Sequence, residues 1–314
     1  MTFFCQFSAF TFGAVFSGKS FIAVRCKKLH SDAKNSKGLR AKNMKLAITT
    51  KQIALIAVFS ALYSVIRLIP MGPMIGLSTT FSVADCLAPV YGIVLGPFTG
   101  GASIIVGTFL SMAFGKPVTF MGLDFLPAFV NAVAIGFLIR KKWIPAIILN
   151  VALLAVFIAN PLTTQFFNIP IGGSTITVPF YWLHIVALAV LISPLGYKAG
   201  SWVKTLKPVY LTAGVAILAF IGTMMQHLTG NILTEVVRTQ ILGITTPDAL
   251  RTIIWPGAFI VYPWERLTLV ILAVIVGVPL VKALKTTMFP FEDKQPTIVK
   301  QNSADKATTE NKEK

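Results

Sequence analysis

The sequence predicts an all-α polytopic membrane protein with about eight transmembrane helices, or six to eight if a short arm is re-entrant, and with both termini cytoplasmic. Of the 314 residues 55% are apolar and only 12% charged, and the mean hydropathy is +0.75, whereas an ordinary soluble domain carries about 25% charged residues. Apolar runs recur at intervals that suit membrane helices. Lys and Arg lie between these runs or at the chain ends, as is typical of cytoplasmic loops.

The helices follow from the apolar runs and their orientation from the charges. We predict helices over residues 52–69, 80–95, 98–114, 122–139, 143–160, 180–198, 208–229 and 257–281. With the N-terminus inside, 23 of the 28 Lys and Arg fall on the cytoplasmic side, which agrees with the positive-inside bias. Because the basic residues form loops and not a phosphate-binding face, we expect no nucleic-acid partner. The lipid bilayer, in the cell membrane, is the expected environment.

The two chain ends differ from this pattern. Residues 1–43 contain an apolar stretch without the preceding basic region of a signal peptide. We expect an over-extended gene start with Met44 as the initiator, or a disordered extension, and a signal or extra anchor is the alternative. Residues 44–286 form the predicted transmembrane domain. Residues 287–314 are polar and poor in aromatic residues, which predicts a disordered cytoplasmic tail.

The stretch 81–115 predicts a helical hairpin buried in the membrane. It is only 35 residues long and has the turn sequence Leu95-Gly96-Pro97-Phe98-Thr99-Gly100-Gly101 at its middle. Since roughly 20 residues are needed to cross a 30 Å hydrocarbon layer, two short helices fit better than longer ones. The glycines of the stretch allow other backbones to approach closely.

Two outer loops carry structural signals. The uncharged loop 161–179 contains several Thr, Gly and Pro residues, which suits a folded cap over the helices. Residues 230–256 contain a predicted short interfacial helix, in which Glu235 and Arg238 could pair. Trp255, Tyr262 and Trp264 are expected at the membrane interface.

Ionisable residues at membrane depth are functional candidates by default because burying them is costly. In the predicted topology they all lie at the outer side, where aromatic faces and a few polar groups would suit a receptor for a small solute. The candidate substrate-binding residues are Arg67, Asp85, Asp124, Asn131, Trp182 and His184, with Glu265 and Arg266 nearby.

Each of these candidates also has a structural alternative. Arg67 could simply pair with Asp85, and Glu265 and Arg266 could be solvated at a helix start. His184 could be a packing histidine. Gln226 and His227 are expected at the interface, near the end of the seventh helix.

The sequence does not favour an enzyme. From Met44 onward no HExxH, GxSxG or GxxxxGK[ST] motif is present, and the one GxxxxGK[ST] match, Gly13 to Ser20, lies before that residue. The predicted transmembrane domain therefore lacks the usual groups for metalloprotease, hydrolase or ATPase chemistry. Its three histidines and three cysteines are scattered, which argues against a metal site, a disulfide scaffold or a cofactor.

The first helix carries a stripe of small residues at Ala54, Ala57 and Ala61, beside Ser60 and Ser64. Small residues allow close helix contact in lipid. The contact could be with a neighbouring helix, which is the default, or with another subunit.

Several of these segments together resemble the substrate-binding S components of energy-coupling factor (ECF) transporters. The resemblance covers residues 52 to about 140. It rests on Ala57-Val58-Phe59-Ser60-Ala61, an Arg-Leu-Ile-Pro helix end, the loop Met71 to Ser78, a D..AP..G...GP..G......G hairpin and Asp124-Phe125-Leu126-Pro127. The predicted eight crossings exceed the six typical of that family, and the second half, from Trp143, has no recognised motif.

The resemblance implies a subunit that binds a vitamin, a precursor or a metal ion at the outer side. It would dock on a transmembrane coupling subunit and two ATPases, with Ala57 and Ala61 in the docking stripe and the loop from Met71 to Thr80 as a lid. Asp85, Asp124 and Asn131 are assigned to the pocket by position and chemistry only. Two alternatives are a stand-alone secondary carrier, coupled to cations through Asp85 and Asp124, and a non-transporting membrane scaffold.

Overall fold

A computed structural model describes residues 49–75 and 80–287, and the structural statements below concern these residues. The expectations for residues 1–43 and for the tail beyond Thr287 lie outside them. The described chain is mostly helical and contains two small antiparallel sheets, β1 with β2 and β3 with β4.

The elements of the first half are α1 (Thr50–Arg67), β1 (Pro70–Pro73), β2 (Thr80–Ser82), α2 (Leu87–Ala113) and α3 (Leu126–Ile139). Those of the second half are α4 (Trp143–Ala159), β3 (Phe166–Ile171), β4 (Ser174–Pro179), α5 (Trp182–Ile192), α6 (Pro194–Thr205), α7 (Pro208–Leu233) and α8 (Trp255–Thr287). Between α7 and α8 the chain continues in π-helical turns, Thr234–Ile241 and Leu250–Ile254, around a single α-turn, Pro247–Ala249.

Helix α1 begins at a capping box and buries one face. Thr49 Oγ1 accepts from the backbone N–H of Gln52, and the Gln52 side chain accepts from the N–H of Thr49, which satisfies two free donors at the helix start. The buried face of the helix carries Phe59, Tyr63 and Arg67. The opposite face is exposed and apolar, as expected for a helix that meets lipid.

The predicted hairpin is present in α2. Gly96 has φ 79° and ψ −177°, outside the helical region, and Pro97 follows it. In a continuous helix Tyr91 and Gly100 would be about 13 Å apart along the axis. Here a Cβ placed on Gly100 would lie 2.8 Å from the carbonyl oxygen of Tyr91. The chain therefore reverses at Gly96, and α2 consists of two antiparallel arms.

Helix α3 lies against this hairpin at sites where only glycine fits. A Cβ on Gly92 of the first arm would lie 2.5 Å from the carbonyl oxygen of Ala132, and a Cβ on Gly101 of the second arm 2.7 Å from the Phe129 ring. At the tip, a Cβ on Gly136 would lie 2.3 Å from the nitrogen of Pro97. The glycines therefore allow the close helix contacts that the sequence predicts.

The single helix predicted over residues 180–198 is wrong. Helices α5 and α6 meet at an angle of 66° between Ile192 and Pro194. Ser193 is extended (φ −78°, ψ 166°), and its Oγ accepts from the backbone N–H of Leu195 to cap α6. A residue before proline is pushed out of the helical region, so the bend follows from Pro194.

The described helices are those of a membrane-embedded protein. By length and composition alone four segments could cross a membrane, or five if α5 and α6 form one bent span, although one of the four, Val83–Ala113, reverses at Gly96. The four are Thr50–Arg67, Val83–Ala113, Pro208–Ile241 and Pro247–Lys285. Leu123–Ile139 and Trp143–Ala159 are shorter apolar helices. Eight crossings and two cytoplasmic termini stay predictions.

One expectation for the outer loops needs correction. Glu235 and Arg238 form no salt bridge in the described chain. Glu235 Oε1 instead accepts from Thr163 Oγ1 (2.6 Å), and Arg238 donates to the carbonyl oxygen of Thr119 (3.5 Å). The two side chains point to different neighbours, Glu235 to the segment after α4 and Arg238 to the loop before α3, so they do not meet. The predicted cap, residues 161–179, contains the β3–β4 hairpin.

Candidate binding cavity

A cavity of about 1080 Å³, with its open mouth included, lies where α1 ends and α8 begins. Its lower part is formed by Arg67, Asp85 and the loop from Lys116 to Asp124, and its walls by the last turns of α7 and the first turns of α8. The mixed polar and apolar lining suits a small organic solute.

The structure brings together some of the predicted site residues and not others. Arg67, Asp85 and Asp124 all line the cavity. Asn131 and His184 are fully buried behind its wall and touch residues that line it. Trp182 does not line the cavity and has an exposed side chain, because the surrounding helices bury the opposite face of α5.

A chain of hydrogen bonds links three helices below the cavity. Asn131 Nδ2 donates to Gln226 Oε1 (2.8 Å), and Gln226 Nε2 donates to Asp85 Oδ1 (2.8 Å). The other carboxylate oxygen of Asp85 accepts from the backbone N–H of Ser82 (3.1 Å) in a capping box. Asp85 therefore has a donor on each oxygen and connects the start of the hairpin to α7.

Asp124 is held by the loop that precedes α3. Its Oδ1 accepts from the backbone N–H of Thr119 (2.9 Å) and its Oδ2 from that of Phe120 (3.1 Å). The carboxylate therefore fixes the loop that carries Lys116 into the cavity wall.

Arg67 and Asp85 do not form a salt bridge in the described part of the chain, so the direct pairing considered above is wrong. Gln226 reaches Asp85 instead. Arg67 is only 8% exposed, and its Nε has no hydrogen-bond partner. Lys116 also lines the cavity and donates to Thr80 Oγ1 at 3.3 Å.

Glu265 and Arg266 are not solvated at a helix start, because both line the cavity and pair with each other. Arg266 also donates to the carbonyl oxygen of Thr223 (3.3 Å) and lies 5.7 Å from the centre of the Phe81 ring. The positive charge of Arg266 is therefore already matched within the chain.

Stacked rings form the wall opposite the hairpin. His184 and His227 share a hydrogen bond of 3.0 Å, and Tyr262 stacks on His227 with ring centres 4.8 Å apart. His227 and Gln226 are buried and line the cavity, so their predicted interfacial position is wrong. Trp255 and Tyr262 are buried in the same wall, while Trp264 is exposed.

The cavity residues that the sequence analysis missed carry a weak signal. Gln226 and His227 are neighbouring polar residues in an otherwise apolar segment, and the helix was expected to end just beyond them, at residue 229. Because α7 continues to Leu233, both lie within the bundle. No group of three or more potential metal ligands occurs among the described residues.

The alanine stripe faces outward. Ala54, Ala57 and Ala61 are exposed, whereas Ser60 and Ser64 are buried against the hairpin, with Ser60 Oγ donating to the carbonyl oxygen of Ser103 (3.0 Å). The default expectation of packing within the chain is therefore wrong for the alanines and right for the serines.

Comparison with known proteins adds no further information on the site, since no protein-family model, curated protein or solved structure matches this chain.

Proposed function

We propose that the chain is the membrane-embedded, substrate-binding subunit of an ECF-type transporter. It captures a small micronutrient, a vitamin or its precursor, at the outer side and delivers it with an ATPase-driven coupling module. The observation that carries the proposal is the cavity with aromatic and charged lining at one end of the helical bundle.

The charges support an outer position for the cavity. All acidic residues of the described chain belong to elements at the cavity end, namely Asp85, Asp124, Glu235, Asp248 and Glu265. Nine basic residues, Lys51, Arg140, Lys141, Lys142, Lys198, Lys204, Lys207, Lys282 and Lys285, belong to the opposite ends of the helices. By the positive-inside rule that end is cytoplasmic. The reversal at Gly96 is part of the proposed eight-crossing topology.

The outward alanine stripe supports the proposal that the chain docks on a partner subunit. Ala54, Ala57 and Ala61 give α1 a smooth exposed surface on which another helix can pack closely, and close packing is the main attraction between helices in lipid. We assign this surface to the transmembrane coupling subunit. The transporter's ATPases would supply the energy for accumulation.

The stand-alone carrier is the second candidate, but the cavity favours it less. Cation coupling would require free carboxylates, and both oxygens of Asp85 and of Asp124 already accept hydrogen bonds from the chain. A scaffold has no use for a large lined cavity. Binding and partner experiments separate the three functions.

The first experiment tests binding. Native mass spectrometry of the full chain should detect a retained small molecule. Gly230→Phe should displace it, because Gly230 lines the cavity and a Cβ there meets nothing within 4 Å. Failure of the parent protein to retain or bind any small solute would leave the scaffold as the better explanation.

The second experiment tests the partner. Ala57→Trp should preserve solute binding but abolish co-purification with an ATPase-bearing complex, because the indole holds the other backbone away. Val151→Trp is the matched control, since Val151 is an exposed apolar position on α4. Loss of solute binding in Ala57→Trp would contradict the docking role, and transport by vesicles containing this chain alone would favour the carrier.

A further inference from the structure

The charged groups of the cavity are not equally available to a solute. Asp85 and Asp124 accept from the chain on both oxygens, and Glu265 is paired with Arg266. No oxygen of Asp85 or Asp124 is therefore left without a donor, although a carboxylate has about four acceptor sites in all. The acidic side of the cavity is therefore satisfied from within.

The basic side of the cavity is not satisfied by groups of the chain. Arg67 lines the cavity, is more than nine-tenths buried, and leaves its Nε without a hydrogen-bond partner. A guanidinium has five N–H donors and no acceptor, and a buried donor without a partner is costly. Asn231 Nδ2, another cavity group, also lacks a partner. These are donors in need of an acceptor.

Lys116 adds a second positive charge on the same side. Burial lowers the pKa of Lys116, and the charge of Arg67 lowers it further, by more than Asp85 raises it. The two cations line the same cavity and repel each other, and neither forms a salt bridge among the described residues. An anion between them would relieve this repulsion.

We propose that the solute carries an anionic group, a carboxylate or a phosphate, that binds Arg67 and Lys116, and that its flat apolar body lies among the aromatic residues of the cavity. This proposal rests on the proposed function and names the chemical class of its substrate. Arg67 suits the role because its planar donors match two oxygens of one acid group. Phe120, Trp255 and Tyr262 provide apolar surface in the same cavity.

The test compares acids with neutral analogues of the same shape. Molecules released from the purified full chain are identified by mass spectrometry, and thermal shifts are measured with nicotinate against nicotinamide, indole-3-acetate against indole-3-acetamide, and pyridoxine 5′-phosphate against pyridoxine. We expect the retained molecule to carry an acid group, and at least one acid to bind roughly 10- to 100-fold more tightly than its neutral analogue. The member that binds distinguishes carboxylate from phosphate.

Variants test whether Arg67 and Lys116 cause the preference for acids over neutral analogues. Arg67→Gln and Lys116→Gln should each weaken binding of the acid by roughly 10- to 100-fold without changing that of the neutral analogue. Lys116→Gln should fold normally, because Lys116 is only half-buried in a loop. Arg251→Gln is the matched control, since Arg251 is exposed, bonds to the carbonyl oxygen of Pro161 and does not line the cavity.

Three outcomes overturn the inference. A retained molecule that is neutral or cationic and is displaced by Gly230→Phe would refute the anion while leaving the proposed function intact. Acid binding that is unchanged in both Arg67→Gln and Lys116→Gln would do the same. A protein that retains nothing and binds no member of the three pairs would contradict both proposals.

Discussion

Replacing Gly136 with alanine would test the contact between α3 and the hairpin tip. The new Cβ would lie 2.3 Å from Pro97 N, 2.6 Å from Pro97 Cα and 2.7 Å from Gly96 C. These are backbone atoms, so no side chain can rotate away. Ordinary contact begins at 3.4 Å, and α3 must therefore move by about 1.1 Å (3.4 − 2.3).

The movement should destabilise the protein measurably. A gap of 0.5–1 Å forfeits about a quarter to a half of the dispersion energy of a contact, and overpacking a close-packed core costs roughly 1–3 kcal/mol. At about 2–4 °C per kcal/mol for a domain of this size class, Gly136→Ala should lower Tm by about 2–12 °C.

Thermal unfolding in mild detergent, followed by the loss of helical circular dichroism, measures the effect. Gly230→Ala is the control, because it lies in α7 with nothing within 4 Å of its Cβ. It should raise Tm slightly, since alanine favours a helix over glycine by about 1 kcal/mol. A Tm for Gly136→Ala equal to or above that of the parent would refute the packing of α3 on the tip.

Three further changes have defined outcomes. Tyr91→Phe should lower the free energy of unfolding by about 1 kcal/mol, because the Tyr91 hydroxyl donates to a buried carbonyl at 2.8 Å; an unchanged denaturation curve would contradict this. Asp124→Ala should speed hydrogen exchange at Thr119 and Phe120 more than Asp124→Asn, which keeps one acceptor oxygen. Burial and Arg67 lower the pKa of Lys116, so the unfolded chain keeps this proton to higher pH, and stability should rise with pH between the folded and unfolded pKa values. Lys116→Gln should abolish that rise.

The helices were predictable where proline, glycine or charge marks their ends. The hairpin followed from Gly96 and Pro97, and α4 begins and ends within one residue of its predicted bounds. The bend at Pro194 was missed because the apolar run continues through it. Hydropathy measures solubility in lipid and does not respond to the restriction that proline places on the preceding residue.

The ionisable residues of the site could be predicted from the sequence, but their hydrogen-bond partners could not. Arg67, Asp85 and Asp124 stand out because ionised groups are rare at membrane depth. Their hydrogen bonds depend on which helices meet, and a single sequence does not give this for Gln226, 141 residues away from Asp85. Trp182 was wrongly placed because periodicity shows no preferred face in a helix that is apolar all round.

The cavity owes its depth to unequal helix lengths. At 1.5 Å per residue, α3 with its 14 residues is about 21 Å long, and α8 with its 33 residues about 50 Å. Asp85 and the first residues of α3, Pro127 and Ala128, form part of the floor, while the last turns of α7 and the first turns of α8 form the walls. Adding one helical turn at the start of α3 would raise that floor by about 5 Å. Related chains could therefore accommodate larger or smaller solutes by changing helix length without altering any residue of the walls.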